Sequence, residues 1–247
     1  MSSITYRKAG LVSRDVLWAL RISAGWFAAI VVVVFLGIGV GIELAGGLDG
    51  STPNSVWETS AYATRYWPMA MGIMLTPFYL PVCVASGVTR RSFGIGAALV
   101  VAGLAAVMAV LEGVGYIVEH GLYALADSTP QFESPHLFDS GLHIWVSMPE
   151  VWITVCGNVA AGWLIGSVYY RWGWLWPTLA LPLLVVPTLA VEAAMSVGWP
   201  GDVMIGVLGV DRAPLGVAIP ASLVIIALTL WGTHRLVRTT AVRPRRA

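Results

Sequence analysis

Six long apolar runs, separated by polar segments, dominate the sequence. None of the runs contains Asp, Glu, Lys or Arg, and each has about 20 residues or slightly more, the length at which a helix crosses a hydrocarbon core of ~30 Å. The runs are Ile22–Ile42, Tyr66–Thr89, Ser92–Leu111, Val151–Tyr170, Trp172–Val191 and Ala213–His234. Because backbone polar groups in lipid must bond within their own segment, the runs predict helices. We therefore predict an all-α integral membrane protein with six transmembrane helices, spans 1 to 6, at about residues 22–44, 66–88, 92–118, 148–170, 173–195 and 213–234.

The composition agrees with a membrane protein. The chain is 57% hydrophobic and 11% charged, with a mean hydropathy of +0.79, whereas a soluble domain carries about 25% charged residues. Basic residues do not alternate with aromatic ones, so we expect no nucleic-acid partner. Cys83 and Cys156 both lie inside apolar runs, which predicts buried thiols rather than a disulfide.

The basic residues predict the orientation of the chain. Twelve of them fall on one side of the membrane if both termini are cytoplasmic, as the positive-inside rule requires. They are Arg7, Lys8, Arg14, Arg21, Arg90, Arg91, Arg171, Arg235, Arg238, Arg243, Arg245 and Arg246. Only Arg65 and Arg212 fall on the outer side. Arginine replaces lysine almost throughout, which is typical of GC-rich bacterial genes, so we place the chain in a bacterial plasma membrane.

A short amphipathic segment precedes span 1. Over residues 10–21, Leu17 and Leu20 contrast with the polar positions Arg14 and Arg21. This pattern is typical of a helix that lies along a membrane surface, and we predict an interfacial helix at the inner leaflet.

Three glutamates, Glu112, Glu150 and Glu192, border the apolar runs. Ionisable residues at membrane depth are functional candidates. Each glutamate lies about 21 residues from Arg91 or Arg171, which is roughly 32 Å along a helix and one full hydrocarbon core. We therefore expect all three at the outer interface.

Two interpretations of these acids remain open. They are solvated or helix-capping residues, or they form an acidic ring at the outer mouth of a pathway for cationic substrates. Capping fits Glu150 best, because Ser147, Pro149 and Glu150 match a capping box at the start of span 4.

The long outer segments carry further polar residues. The second of them, residues 113–150, contains three histidines and three acids: His120, His136, His143, Asp127, Glu133 and Asp139. Their spacing matches no zinc motif, which predicts a solvated loop rather than a metal site. The third, residues 192–212, includes an apolar stretch that re-enters the membrane or lies on its surface.

Spans 2 and 5 are rich in proline, which kinks a helix and frees a backbone carbonyl. Methionine surfaces adapt to varied apolar shapes. We consider a substrate-facing wall, with ordinary bundle packing as the alternative. The candidate pathway residues are Met71, Met74, Thr76, Tyr79, Thr178 and Thr188. Two GxxxG pairs, Gly37/Gly41 and Gly162/Gly166, predict close helix packing within the chain.

Motifs for catalysis are missing. Lys8 is the only lysine, so no GxxxxGK[ST] phosphate loop exists, and neither HExxH nor GxSxG occurs. We therefore expect no enzyme activity and no cofactor in this chain.

The short basic turn between spans 2 and 3 carries the most specific signal. It reads Ser86-Gly87-Val88-Thr89-Arg90-Arg91-Ser92-Phe93 and is followed by a glycine-rich span. With six spans, an N-terminal interfacial segment and short inner loops, it resembles the permease subunits of type-2 bacterial ATP-binding-cassette (ABC) exporters. Those permeases often carry a Gly-x-Thr/Ser-Arg-Arg/Lys-x-Phe turn at this place.

The resemblance implies a mechanism driven from outside the chain. Residues 1–247 would form a single permease domain that pairs with a second half, identical or homologous, in membrane lipid. The turn would dock on a cytoplasmic ATPase, present in two copies, that holds ATP and Mg²⁺. The coupling residues would be Gly87, Val88, Thr89, Arg90, Arg91, Ser92 and Phe93. Spans 2 and 5 would line a path for a drug, antibiotic, peptide or lipid. The long outer segment 113–150 departs from the family pattern.

Two other classes of protein remain as alternatives. One is a membrane protein that transports nothing, such as an immunity factor, sensor or anchor. The other is a membrane-embedded enzyme, which the missing catalytic motifs disfavour.

Overall fold

The computed structural model describes residues 3–44, 54–125, 129–132, 136–138 and 140–242. Within these ranges the chain is helical, apart from connecting segments and an isolated β-bridge between Asn54 and Gln131. Three arginines and three acids used in the predictions above lie outside the described residues: Arg243, Arg245, Arg246, Asp127, Glu133 and Asp139.

The described helices follow the order of the apolar runs. They are α1 (Ser3–Leu44), α2 (Val56–Met74), α3 (Leu80–Ala85), α4 (Arg90–Leu125), α5 (Ile144–Trp172), α6 (Leu175–Leu179), α7 (Leu181–Met195), α8 (Gly198–Asp202) and α9 (Leu215–Thr239). Two π-helical turns, Leu75–Tyr79 and Val203–Val207, join α2 to α3 and extend α8.

Five helical segments are long and apolar enough to cross a membrane. They are Thr5–Ile38, Val56–Ala85, Arg90–Leu125, Ile144–Trp172 and Leu215–Thr239. A sixth candidate, Leu181–Met195 with Gly198–Val207, qualifies only as a pair and is bent by 59°. The prediction of an all-helical chain with several membrane-length helices is confirmed, and the described residues contain five helices of sufficient length and hydropathy to span, or six if the bent pair is counted as one.

The segment predicted to be an interfacial helix is continuous with span 1. Residues 10–21 belong to α1, and Val12, Val16 and Leu20 are buried on one side of it while Trp18 is exposed. The expected break between the two elements is absent from α1. The location of this segment at the membrane surface stays a prediction.

Arg21 of α1 and Arg91 of α4 lie at different positions along the axis of α4. Arg21, which stacks on Trp18, lies in a shallow groove with Gly103 and Val107 of α4. Val107 is roughly 24 Å along α4 from Arg91. Arg21 and Arg91 are therefore not at one level, and the orientation of the termini remains a prediction.

Helix α5 is the centre of the bundle and packs against α2, α4, α7 and α9. Trp163 and Val159 are fully buried within it. A methyl group added to Gly162 or Gly166 would collide with the backbone of Met69 or Ile73 in α2. These two glycines thus permit the close helix contact that the GxxxG pattern predicts. Gly37, in contrast, has no neighbour among the described atoms within 4 Å of an added methyl group.

A polar contact fastens the π-helical turn Leu75–Tyr79 to α5. The Trp163 Nε1–H donates to Thr76 Oγ1 at 3.0 Å, and the hydroxyls of Thr76 and Ser167 lie 2.7 Å apart. Pro77 lies inside the turn and has no N–H to donate, which favours a local departure from α-helical bonding.

Candidate functional site

The basic turn is shaped by Gly87 and Thr89. Gly87 has φ +76°, a left-handed conformation that favours glycine. Thr89 Oγ1 accepts a hydrogen bond from the Ser92 N–H at 3.1 Å, which caps the start of α4. Val88 is half-buried between them, and Ser86 is exposed.

The remaining residues of the turn divide into exposed and anchored groups. Arg91 is exposed and Arg90 is half-buried. Ser92 and Phe93 are both 1% exposed and lie in the core. The turn therefore presents basic side chains from a backbone that is held by α4.

The N-terminal part of α1 touches this turn. The Lys8 ammonium donates to the Gly87 carbonyl at 3.1 Å. Nearby, Gly96 of α4 lies against Ala9 and Val12, so closely that an added methyl group would be 2.9 Å from both. The start of α1 and the basic turn are thus neighbours at the same end of the molecule.

The structure does not bring the six predicted pathway residues to one surface. Met71, Thr76 and Thr188 are buried within the chain. Met74 and Thr178 are exposed, and Tyr79 is half-buried. Met74 of α2, Phe78 of the π-helical turn and Val82 of α3 are exposed apolar side chains.

The three outer glutamates are buried, so the expectation that they are solvated is wrong. Glu112 is 0%, Glu150 1% and Glu192 2% exposed. The capping box is wrong too, because α5 already begins at Ile144. The Glu150 carboxylate instead accepts from the Leu137 N–H at 2.8 Å.

Arg65 is the buried cation among these acids. It is 4% exposed, and its Nη2 lies 3.9 Å from Glu150 Oε1. It also interacts electrostatically with Glu112 and Glu192. The three acids converge, as the ring hypothesis expects, but around a buried arginine and not along an open mouth.

His136 adds a second basic group, which corrects its assignment to a solvated loop. It is 5% exposed, with Nδ1 2.9 Å from Glu150 Oε1 and Nε2 3.4 Å from Glu58 Oε1. Burial lowers the pKa of the imidazole, but its contacts with Glu150 and Glu58 raise it more, so the pKa of His136 lies above its ordinary value. Arg212 donates to the His136 carbonyl at 3.0 Å.

Amides and hydroxyls complete the arrangement. Asn158 Nδ2 donates to Glu192 Oε1 at 3.2 Å, and the Thr188 hydroxyl donates to Asn158 Oδ1. The Thr64 hydroxyl donates to Glu112 Oε1. We call the whole set the outer polar cluster, after the orientation predicted from the sequence: Glu58, Thr64, Arg65, Glu112, Tyr116, His136, Glu150, Asn158, Thr188 and Glu192.

Several buried polar atoms of the outer polar cluster have no hydrogen-bond partner among the described atoms. They are Arg65 Nε, Glu112 Oε2 and the Tyr116 hydroxyl, and Ser147 Oγ shares this property nearby. Such atoms are costly when buried and mark places where a small ligand, a proton or water completes the bonding.

A cavity opens beside the outer polar cluster. It has a volume of about 580 Å³, and His136, Phe132, Phe138, His120 and Arg212 are among its lining residues. His136 therefore belongs both to the cavity wall and to the buried cluster. In the described part of the chain, no group of three or more His, Cys, Asp or Glu side chains is arranged to hold a metal ion.

Comparison with known proteins gives no relative. No protein-family model matches the chain, and no curated protein and no solved structure matches it either. Assignment of a function therefore rests on the residues and on the geometry described above.

Proposed function

We propose that this chain is the membrane-spanning half of an ATP-driven exporter of the ABC class. It would move a hydrophobic or amphipathic compound, such as a drug, antibiotic, peptide or lipid, across a bacterial plasma membrane. The contact between Lys8 and Gly87 carries the proposal. It joins the start of α1 to the basic turn, and the basic turn is the element that the family resemblance assigns to ATPase docking.

The construction of the turn suits it to transmit force. Arg91 is free to meet an acidic partner, whereas Ser92 and Phe93, one and two residues further on, are buried in the bundle. Because Thr89 caps the same helix, a displacement of the turn would move α4 with it.

The energy source would be a separate subunit. Lys8, the only lysine, bonds to Gly87, so this chain has no lysine for a phosphate-binding loop. Two copies of a cytoplasmic ATPase would bind ATP and Mg²⁺. ATP binding shifts the permease between two states only to the extent that the ATPase binds those states with different affinity.

The export path would lie between two permease halves. Apolar side chains on the π-helical turn Leu75–Tyr79, α3 and α7 are exposed, with Phe78 65%, Val82 63% and Leu183 72% exposed. A second half, identical or homologous, would cover part of this surface, and an apolar substrate would contact it.

Copurification tests the proposal. The chain is extracted in mild detergent from its native membrane, and an ATPase partner is expected at a stoichiometric ratio. Arg90→Glu combined with Arg91→Glu should remove the partner, because the contact is electrostatic. The control is Arg235→Glu with Arg238→Glu, which makes the same charge change on two exposed arginines of α9 and should retain the partner.

Other outcomes separate the alternatives. If the wild-type chain carries no ATPase, the exporter proposal fails and a sensor or anchor is favoured. If both double variants retain the ATPase, the basic turn is not the docking element. Loss of the ATPase from both would show that the overall charge of this end matters rather than the turn.

A further inference from the structure

We propose that the outer polar cluster is a proton-binding site that exchanges protons with the outer cavity through His136. This site lies at the opposite end of the helix bundle from the basic turn. The proposal of a proton site does not depend on the exporter proposal. Its ligand class is the proton, which buried carboxylates bind when their negative charge is not fully neutralised.

The charge balance is the first argument. Four glutamates of the outer polar cluster face two basic side chains, Arg65 and His136. At least two negative charges are left over when every group is ionised. A buried charge without a partner is expensive, and carboxyl groups in this situation bind protons instead. The cluster therefore holds at least one proton in its stable state.

Glu112 is the best candidate to hold that proton. It is fully buried, Thr64 donates to its Oε1, and no described atom donates to its Oε2. An ionised oxygen without a donor is the costly state, whereas a protonated one is neutral. The Tyr116 hydroxyl interacts electrostatically with Glu112 and likewise has no hydrogen-bond partner among the described atoms.

His136 supplies the route to the outside. Its imidazole contacts Glu150 through Nδ1 and Glu58 through Nε2, while the residue lines the outer cavity. An imidazole takes up a proton on one nitrogen and releases one from the other. Water in the cavity would deliver a proton to His136, which would pass one to a carboxylate of the cluster. No bond other than N–H and O–H changes.

Charged groups from every packed element surround His136 and influence its proton. They are Glu58 and Arg65 of α2, Glu112 and Tyr116 of α4, Glu150 of α5, Asp202 of α8, and Arg212, which binds the backbone carbonyl. The acids outnumber the bases, which favours protonated His136. The raised pKa of the imidazole agrees with this balance.

The test uses the purified full chain in lipid nanodiscs and infrared difference spectra between mildly alkaline and mildly acidic buffer. A protonated carboxyl group has a C=O stretching band separate from that of a carboxylate. We expect this band in the wild type and its loss in Glu112→Gln. The control is Glu119→Gln, which should keep the band because Ser55 and Trp57 donate to both oxygens of Glu119.

Two results with the wild type alone would overturn the proposal. One is the absence of the band throughout the mildly acidic and neutral range. The other is its disappearance when sodium chloride replaces choline chloride at constant pH, since the cluster would then bind a metal cation. Neither result bears on the ATPase partner, so failure here and failure of the exporter proposal are distinguishable.

Deuterium exchange of the band tests the route. The band shifts when the buried proton is replaced from D₂O, and His136→Gln should slow this shift by about a hundred-fold, since a positioned proton donor contributes such factors. The control is His120→Gln, which alters the same cavity at a residue outside the outer polar cluster and should exchange at the wild-type rate. An unchanged rate in His136→Gln would refute the route.

Discussion

The two ends of this molecule treat their charges in opposite ways. At the end with the basic turn, Arg91, Arg235 and Arg238 are exposed. At the other end, Arg65 and the glutamates around it are buried among residues from several helices. Exposed charges contribute little to stability and are available to partners, whereas buried charges depend on one another. We infer that the basic end serves association and the outer polar cluster serves internal chemistry.

The largest expected difference in stability is between two single variants, each of which removes one arginine from one end of the molecule. Arg65→Ala should lower the free energy of unfolding by about 3–5 kcal/mol, because it leaves buried carboxylates without their cation. Arg91→Ala, its exposed counterpart, should change the free energy by no more than about 0.5 kcal/mol. Denaturant unfolding in detergent micelles measures both. Similar losses in the two variants would break the comparison between the ends.

The pH dependence of stability sharpens the description of the outer polar cluster. The pKa of His136 is raised in the folded chain, so its contribution is fully present below the unfolded value of about 6.5 and is lost as pH rises through the folded value. Each pKa unit of difference between the folded and the unfolded chain contributes about 1.4 kcal/mol to the free energy of unfolding. The free energy of unfolding of the wild type should thus fall as the pH rises above neutral.

The matched variant for this prediction is His136→Gln, which cannot titrate at this position. Its stability should vary less with pH over the same interval. A wild-type chain that became more stable as pH rose through this interval would have the opposite sign and would contradict the placement of His136 among carboxylates.

A smaller effect is expected at the basic turn. Thr89→Ala removes the side-chain cap of α4 and should cost about 1 kcal/mol, while Thr89→Ser keeps the hydroxyl and most of the stability. Hydrogen exchange of the Ser92 amide, which donates to Thr89, should speed up in the alanine variant only. Equal exchange in both variants would show that this cap does not hold the turn.

The helices were predictable from the sequence to a large extent. Runs without charge located α2, α5 and α9, and the small residues Gly162 and Gly166 predicted the close contact with α2. Hydropathy works here because lipid imposes helical bonding along each segment. The continuity of α1 was missed, because an amphipathic segment beside an apolar run has the same helical period whether or not the helix breaks between them.

The outer polar cluster was only half predictable. Counting residues along the spans selected Glu112, Glu150 and Glu192, but a run that ends at the first charged residue places that residue at the interface by definition. Arg65 was missed as a site residue for this reason: it precedes the apolar run that begins at Tyr66, although α2 extends back to Val56. The burial of His136 was not predicted because a loop residue acquires its neighbours from tertiary packing. Such packing leaves no periodic signal in the sequence.

The fastening of the π-helical turn to α5 has a mechanical consequence. Thr76 lies eleven residues after Arg65 and eleven residues before Gly87, or about 16 Å from each along the helix. Its hydroxyl ties the middle of span 2 to the most buried helix of the bundle. If span 2 tilts as a rigid body about Thr76, the displacement of Gly87 is accompanied by a displacement of Arg65. The two displacements have opposite directions and similar sizes.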